Sequence, residues 1–125
     1  MSNIYVYDKD KYFFLYLKKK LSHKYNFTRL DDVSLMIAEN YKKDDMGIFI
    51  VNNVNDVVAF FRFRECFHSR ILLCTEKPII CEKFKKAFSL PFLDISKPKK
   101  QFYQELIFRI ETLFDTTKFL VLSFK

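Results

Sequence analysis

Four short groups of polar residues follow apolar runs of the sequence, and their side-chain types could do chemistry if the fold brought them together. The groups are Asp8, Lys9 and Asp10; Asn52 and Asn53; Thr75 and Glu76; and Ser96, Lys97 and Pro98. Carboxylates can hold a divalent cation, and hydroxyl and ammonium groups can bind phosphate oxygens. At the centre of such a phosphate-handling site stands Asn52, whose amide is uncharged and a poor nucleophile.

The order of elements explains why these groups would meet. Short runs of β-forming residues alternate with segments whose apolar residues recur at helical spacing. Strands are predicted at residues 4–7, 25–30, 48–51, 71–74 and 92–95. Helices are predicted at residues 11–21, after Asp31 or Asp32, after Asn53 or Asn55, from Pro78 onward, and at residues 99–114.

Strands one, three and four are apolar on consecutive residues, which is typical of strands with helices on both faces. We therefore predict an α/β fold with a doubly wound, flavodoxin-like sheet of five parallel strands in the order 2-1-3-4-5. In such sheets, sites lie at the carboxyl ends of the strands.

The 125 residues suit one domain, which we expect to span 1–125. Residues 117–125 include the run KFLVLSF, which is apolar on both faces and rich in β-forming residues. We expect an added C-terminal strand there, which would extend the sheet or pair with another chain.

The chain resembles the receiver domain of response regulators over about residues 3–115. The resemblance depends on the βα order and on the segments IYVYDKD, LLCT and ISKP. It implies that Asp8 matches a Mg²⁺-holding acidic residue, Thr75 the switch hydroxyl, and Lys97, followed by Pro98, the phosphate-contacting lysine.

Three departures from that pattern indicate lost chemistry. Lys9 stands at the second acidic position, unless a shift of one residue lets Asp10 serve, and an ammonium there opposes a divalent cation. Asn52 stands where the family has its phospho-acceptor Asp. Asp94 stands at the aromatic switch position, with Phe92 the nearest aromatic residue. We therefore expect no cofactor and no catalytic residue, with Mg²⁺ disfavoured by Lys9.

Structural roles compete with these site roles. Lys97 could pair with Asp8, Thr75 could cap the helix that follows it, and Asn52 could brace its own loop.

The first functional hypothesis is a non-enzymatic pseudo-receiver that signals by protein–protein contact without Asp phosphorylation. In receiver-like families the fourth helix, fifth strand and fifth helix often associate. The candidate surface, which would bind a protein partner or a second copy in a homodimer, comprises Phe84, Phe88, Tyr103, Phe119 and Val121.

Two alternatives stay open. One is a phosphorylation-dependent response-regulator receiver that uses Asp8 or Asp10. The other is a small nucleic-acid-binding protein, suggested by the formal charge of +7 and by the interleaved basic and aromatic residues of AFFRFRECFHSR.

Other classes of protein fit the sequence poorly. It has no apolar stretch long enough to span a membrane and no secretory signal, so we expect a cytoplasmic protein. Cys66, Cys74 and Cys81 are odd in number and, with His68, lack zinc-site spacing, so we expect reduced, mostly buried thiols. The single Gly47 excludes a glycine-rich phosphate loop.

Overall fold

A parallel β-sheet forms the centre of the molecule. The structure is a computed structural model that describes residues 2–32, 34, 36–67, 70–87, 90 and 92–114. Its strands are β1 (Ser2–Tyr7), β2 (Tyr25–Leu30), β3 (Met46–Ile50), β4 (Ile71–Thr75) and β5 (Phe92–Asp94). All neighbours pair in parallel, in the order β2-β1-β3-β4-β5. The predicted sheet order is confirmed.

Helices cover both faces of this sheet. They are α1 (Tyr12–Leu21), α2 (Asp56–Phe67), α3 (Pro78–Ala87) and α4 (Lys99–Phe114). Apolar residues of α1 and α4 pack on one face, and those of α2 and α3 pack on the other. Because they are covered twice, β3 and β4 are buried along their whole length. This explains their uninterrupted apolar runs and confirms the doubly wound, flavodoxin-like architecture.

The α2–α3 face is packed mainly by aromatic rings. Tyr7 stacks on Phe49 with centroids 4.6 Å apart, and Phe49 meets Phe60 and Phe63 edge-on at 5.4 and 5.1 Å. Such edge-on arrangements place the positive ring edge on the negative ring face. The many phenylalanines of the sequence thus serve chiefly as core here.

Gly47 leaves room for this aromatic layer. A Cβ at position 47 would lie 2.6 Å from two ring carbons of Phe63 and 2.7 Å from a ring carbon of Phe67. Both rings are buried, so neither can move away easily. The glycine is therefore required by packing against helix α2.

The segment between β2 and β3 departs from prediction. The sequence indicates a helix capped by Asp31 or Asp32, but the described residues of this segment form no α-helix and include a 3₁₀ turn at Ala38–Asn40. The apolar stripe behind that prediction comprised Val33, Met36, Ile37 and Tyr41. The predicted helix is thus wrong for the described part of this segment.

Polar contacts accompany the irregular backbone of this segment. The Asp32 carboxylate accepts hydrogen bonds from both the backbone N–H (2.9 Å) and the hydroxyl (2.6 Å) of Ser34, a contact that an Asp also makes when it caps a helix. The Met36 carbonyl accepts two bonds from the Arg62 guanidinium, at 3.1 and 2.8 Å. Met36 is nevertheless buried against the sheet, so the apolar pattern reported burial rather than a helix.

Some sequence-based expectations lie outside the described residues. They concern the added strand at 117–125, the positions Phe88, Phe119 and Val121, and His68.

Within the described ranges, none of the helices is long and apolar enough to cross a lipid bilayer.

Replacing Gly47 by alanine should lower the free energy of unfolding by about 1–3 kcal/mol, because the new methyl overpacks the rings of Phe63 and Phe67. Denaturant unfolding measures the change. Without this clash the substitution would be stabilising, since alanine restricts the unfolded chain. Adding Phe63→Leu should make the double variant less unstable than the sum of the single changes. Strict additivity would contradict this account.

Candidate functional site

Parallel pairing brings the carboxyl ends of β1, β3 and β4 to one edge of the sheet. Tyr7 is in register with Phe49, and Ile50 with Cys74. The residues that follow these strands, Asp8, Asn52 and Thr75, therefore lie along the same edge. The structure places these three sequence-predicted positions as expected, but the partners of their polar groups differ from those of a phosphate site.

Asp8 shapes the loop that enters helix α1. Its carboxylate is buried and accepts hydrogen bonds from the backbone N–H groups of Asp10 (3.2 Å) and Phe14 (3.0 Å), one on each oxygen. Between them, Lys11 adopts a left-handed conformation with φ of 69°. Asp8 thus works as an acceptor for the start of a helix, a common role for Asp.

Arg29 holds the same loop from strand β2. Its Nε donates to the Asp8 carbonyl at 2.8 Å, and its Nη2 donates to the Lys9 carbonyl at 2.9 Å. The planar guanidinium suits two parallel donations of this kind. Sequence reasoning missed Arg29; the available signal was its position at the end of the strand next to β1.

Asp56 is the central residue of this edge, and the sequence analysis did not identify it. Only 1% of it is exposed. Its Oδ2 accepts hydrogen bonds from the backbone N–H groups of Asn52 (2.7 Å) and Asn53 (3.1 Å). Asn53 and Asp56 thereby form the reach-back half of a capping box, in which an acidic side chain bonds the backbone three residues earlier. That spacing was the missed signal.

The other carboxylate oxygen of Asp56 faces Lys9. The Lys9 Nζ lies 3.3 Å from Asp56 Oδ1, so an ion pair joins the β1–α1 loop to the β3–α2 loop. The pKa of Lys9 is raised, first by the Tyr7 phenol and then by the hydrogen bond and charge of Asp56. Burial raises the pKa of Tyr7, so at neutral pH Tyr7 is uncharged and Asp56 is the counter-ion of Lys9.

Thr75 is fully engaged at the end of β4. Its hydroxyl donates to the Val51 carbonyl at 2.9 Å and accepts from the Lys77 N–H at 3.1 Å. The residue is only 1% exposed. These bonds fix the turn that leads to helix α3, but they do not cap the helix, because Lys77 precedes its first residue, Pro78.

Lys97 turns toward helix α4. Its Nζ lies 3.1 Å from Glu105 Oε1, so the alternative that paired it with Asp8 is wrong. The preceding turn is set by Asp94, whose carboxylate accepts hydrogen bonds from the hydroxyl (2.6 Å) and N–H (2.9 Å) of Ser96. These bonds, with a smaller contribution from Lys97, lower the pKa of Asp94. Phe92 packs edge-on against Phe84 at 6.5 Å.

The remaining predicted site residues contribute through their backbone groups. Asn52 is half-buried and contributes its backbone N–H to Asp56. Asp10 is exposed, and its backbone N–H bonds Asp8. Pro98 is exposed, and its carbonyl accepts from the Phe102 N–H at the start of α4.

This donor set does not fit Mg²⁺. The metal requires several oxygen ligands at close range. Both Asp8 oxygens are bonded to backbone N–H groups, and the Lys9 ammonium projects to the Asp56 carboxylate. Within the described ranges, no three His, Cys, Asp or Glu side chains come together in a metal-binding cluster.

The two described thiols are poor nucleophiles. Burial raises the pKa of Cys74, and the nearby Asp8 carboxylate raises it further. Burial also raises the pKa of Cys66. Reactive cysteines require the opposite shift. Both thiols are free and buried, as the sequence predicted, whereas the Cys81 side chain lies outside the described part of the chain.

One sequence-based surface assignment needs correction. Phe84 is 3% exposed and packs in the core, so it contributes little surface to the candidate interface. Tyr103 is half-buried, and its place in that interface stays a prediction. In the basic and aromatic segment of α2, Phe60, Phe63 and Phe67 are buried. These rings cannot stack on bases, because they face the sheet.

Apolar residues are exposed on the outer side of helices α2 and α3. A groove of about 210 Å³ runs between these helices. Its lining comprises Val54, Val57, Phe61, Ile80, Lys83, Phe84 and Ala87. Val58 and Ile79 are also strongly exposed, at 79% and 73%.

Comparisons with known proteins support the fold. Neither a family model nor a curated protein matches the sequence. A solved structure, the crystal structure of adenylate cyclase from Rhodopirellula baltica, is similar with a TM-score of 0.65 and 15% identity, covering 98% of this chain and 97% of that chain. At this identity the likeness shows the fold alone. The fold fits the receiver resemblance.

Asp56→Ala should lower the free energy of unfolding by about 1–3 kcal/mol, because two backbone N–H groups lose their acceptor. Asp56→Asn should cost less, since an amide oxygen can still accept.

A double-mutant cycle of Lys9→Met and Asp56→Asn should give a coupling of about 0.5 kcal/mol or more. The control is the exposed pair Arg62 and Glu65, 3.7 Å apart, whose cycle should be close to zero. Equal coupling in both cycles would contradict a special role for Lys9 and Asp56.

Proposed function

We propose that this chain is a receiver-like signalling module that acts through protein–protein contacts without Asp phosphorylation. The observation that carries the proposal is the Lys9–Asp56 ion pair, in which the half-exposed Lys9 ammonium lies at the edge where the resemblance implies a metal. The Asp56 carboxylate also holds the backbone of Asn52, the acceptor position. The loops that a phosphoryl group would move are thus already bound to each other.

The chemistry of the acceptor position supports the same proposal. An amide cannot form an acyl phosphate. Among the described residues, the carboxylate that bonds to the Asn52 loop is that of Asp56. Asp56 is buried; its Oδ2 accepts two backbone hydrogen bonds, whereas its Oδ1 has, among the described residues, only the charge of the Lys9 ammonium 3.3 Å away. Adenylate cyclase activity belongs to the similar solved structure, and a shared fold does not bring it to this chain. We therefore propose a non-enzymatic role.

The alternative of phosphorylation at Asp8 or Asp10 has less support. Asp8 is buried with both oxygens bonded to backbone, and its phosphorylation would break the start of α1. Asp10 is exposed, but the lysine and hydroxyl that would stabilise its phosphoryl group are bonded elsewhere, Lys97 to Glu105 and Thr75 to Val51. Neither residue has the surroundings that stabilise a phosphoryl group.

The α2–α3 groove is the proposed contact surface. Its lining is apolar apart from Lys83, and the apolar side chains of Val54, Val58 and Ile79 are exposed beside it. An amphipathic segment with carboxylates at its border would match this lining, since such a segment places apolar anchors into a groove. The partner is another protein or a second copy of this chain.

Incubation with acetyl phosphate and Mg²⁺ should add no phosphoryl group to the wild-type protein, as measured by intact mass. Asn52→Asp alone should also stay unmodified, because Lys9 still opposes the metal. Lys43→Asp is a control for a new carboxylate on an exposed loop. A phosphoryl adduct on wild type that peptide mapping assigns to Asp8 or Asp10 would support the phosphorylation-dependent alternative. Modification of Asn52→Asp would show that Lys9 does not block the site.

A further inference from the structure

A basic cleft lies on the opposite face of the sheet, between α1 and α4. Its volume is about 480 Å³. Its lining comprises Tyr16, Lys19, Lys20, Lys99, Lys100 and Tyr103. Four ammonium groups thus surround the cleft, and no carboxylate is among its lining residues.

The helix dipole favours one pair of these lysines and disfavours the other. Lys19 and Lys20 lie in the last turn of α1, where the helix dipole favours cations. Lys99 and Lys100 open α4, where the dipole disfavours them, and no acidic residue lies in that first turn. In the described part of the chain none of the four lysines forms an ion pair. A local rule broken without compensation is expected where a ligand binds.

The two lysine pairs lie at opposite ends of the cleft. Both helices follow a strand of one parallel sheet and so run in the same direction. Tyr16 lies beside the start of α4, with its ring centroid 5.5 Å from that of Phe102. Lys20 is one turn after Tyr16, whereas Lys99 is one turn before Tyr103. At 1.5 Å per residue, about 12 Å along the helix axis separates the two pairs.

Aromatic rings line the middle of the cleft. Phe13, Tyr16 and Phe102 form a cluster with centroid distances of 5.5 to 6.3 Å, which holds the Tyr16 ring in place. Tyr16 and Tyr103 are both half-buried, so each presents part of its ring to the cleft. Burial and the neighbouring Tyr103 raise the pKa of Tyr16, consistent with two phenols lying close together.

We propose that this cleft binds single-stranded nucleic acid, with a base stacked against Tyr16 and Tyr103 and phosphates bound by the lysine pairs at each end. Aromatic side chains in a basic groove are the usual elements of such binding, because rings stack on unpaired bases while lysines neutralise the backbone. The separation of the lysine pairs exceeds the span of one phosphate group and favours a strand over a single nucleotide. This inference is independent of the α2–α3 groove and of phosphorylation.

Fluorescence anisotropy with labelled single strands of thymidine or uridine, about 12 nucleotides long, tests the proposal. Affinity should fall as salt rises, since each phosphate contact releases counterions. Four lysine contacts predict a slope of log affinity against log salt concentration of about −3. A slope near zero, or no binding at low salt, would overturn the proposal.

Variants place the binding in the cleft. Lys99→Gln with Lys100→Gln should weaken binding by about tenfold at low salt and reduce the slope by about 1.4. The control, Lys42→Gln with Lys43→Gln, makes the same change of net charge on the exposed loop before β3 and should have a clearly smaller effect. Equal losses in the two double variants would show that only net charge matters, and would overturn the assignment to the cleft.

Stacking separates nucleic acid from other polyanions. Tyr103→Leu keeps the charge and should weaken strand binding by roughly tenfold. Polyglutamate of matched charge should compete poorly with the labelled strand, since it has no base to stack. If polyglutamate displaces the strand as well as unlabelled strand does, the cleft recognises charge alone and the proposal fails. Thermal unfolding of each variant shows that it is folded.

Discussion

The sheet edge at the carboxyl ends of β1, β3 and β4 depends on the hydrogen bonds and the ion pair of the Asp56 carboxylate. A buried carboxylate is stable only with donors and a counter-charge around it. Asp56 obtains both, from the backbone N–H groups of Asn52 and Asn53 and from the Lys9 ammonium. Because Lys9 and Asn52 follow neighbouring strands, the Asp56 side chain joins the β1–α1 loop to the β3–α2 loop.

The other polar groups of this edge are consistent with that arrangement. Asp8 bonds the start of α1, Thr75 bonds backbone, and Lys97 pairs with α4. Each of these side chains bonds to backbone or to a side chain nearby, so together they stabilise the loops at this edge of the sheet. The two helical layers present different surfaces: an apolar groove at α2–α3 and a basic cleft at α1–α4.

The sequence predicts the sheet well because its signals are collective. Uninterrupted apolar runs in β3 and β4 require cover on both faces, and the right-handed crossover rule then leaves few strand orders. The site was predicted less well, since its contacts join residues far apart in sequence. Arg29 has no local pattern that indicates its partners, whereas the spacing of Asn53 and Asp56 indicates a capping box but not the ion pair with Lys9. The segment before β3, whose described residues form no α-helix, has a contact of the same kind: the Arg62 guanidinium bonds the Met36 carbonyl.

The central claim is that the edge formed by Asp8, Lys9 and Asp56 does not bind a divalent cation. A titration of the isotopically labelled protein with millimolar Mg²⁺, followed through the backbone amide signals of Asp10, Phe14, Asn52 and Asn53, tests it most directly. These N–H groups bond the carboxylates of Asp8 and Asp56, so any metal ligation there would change their chemical shifts. The account predicts that the four signals do not move in a saturable way. Saturable shifts confined to these amides would show that the edge binds the metal, and would contradict the account.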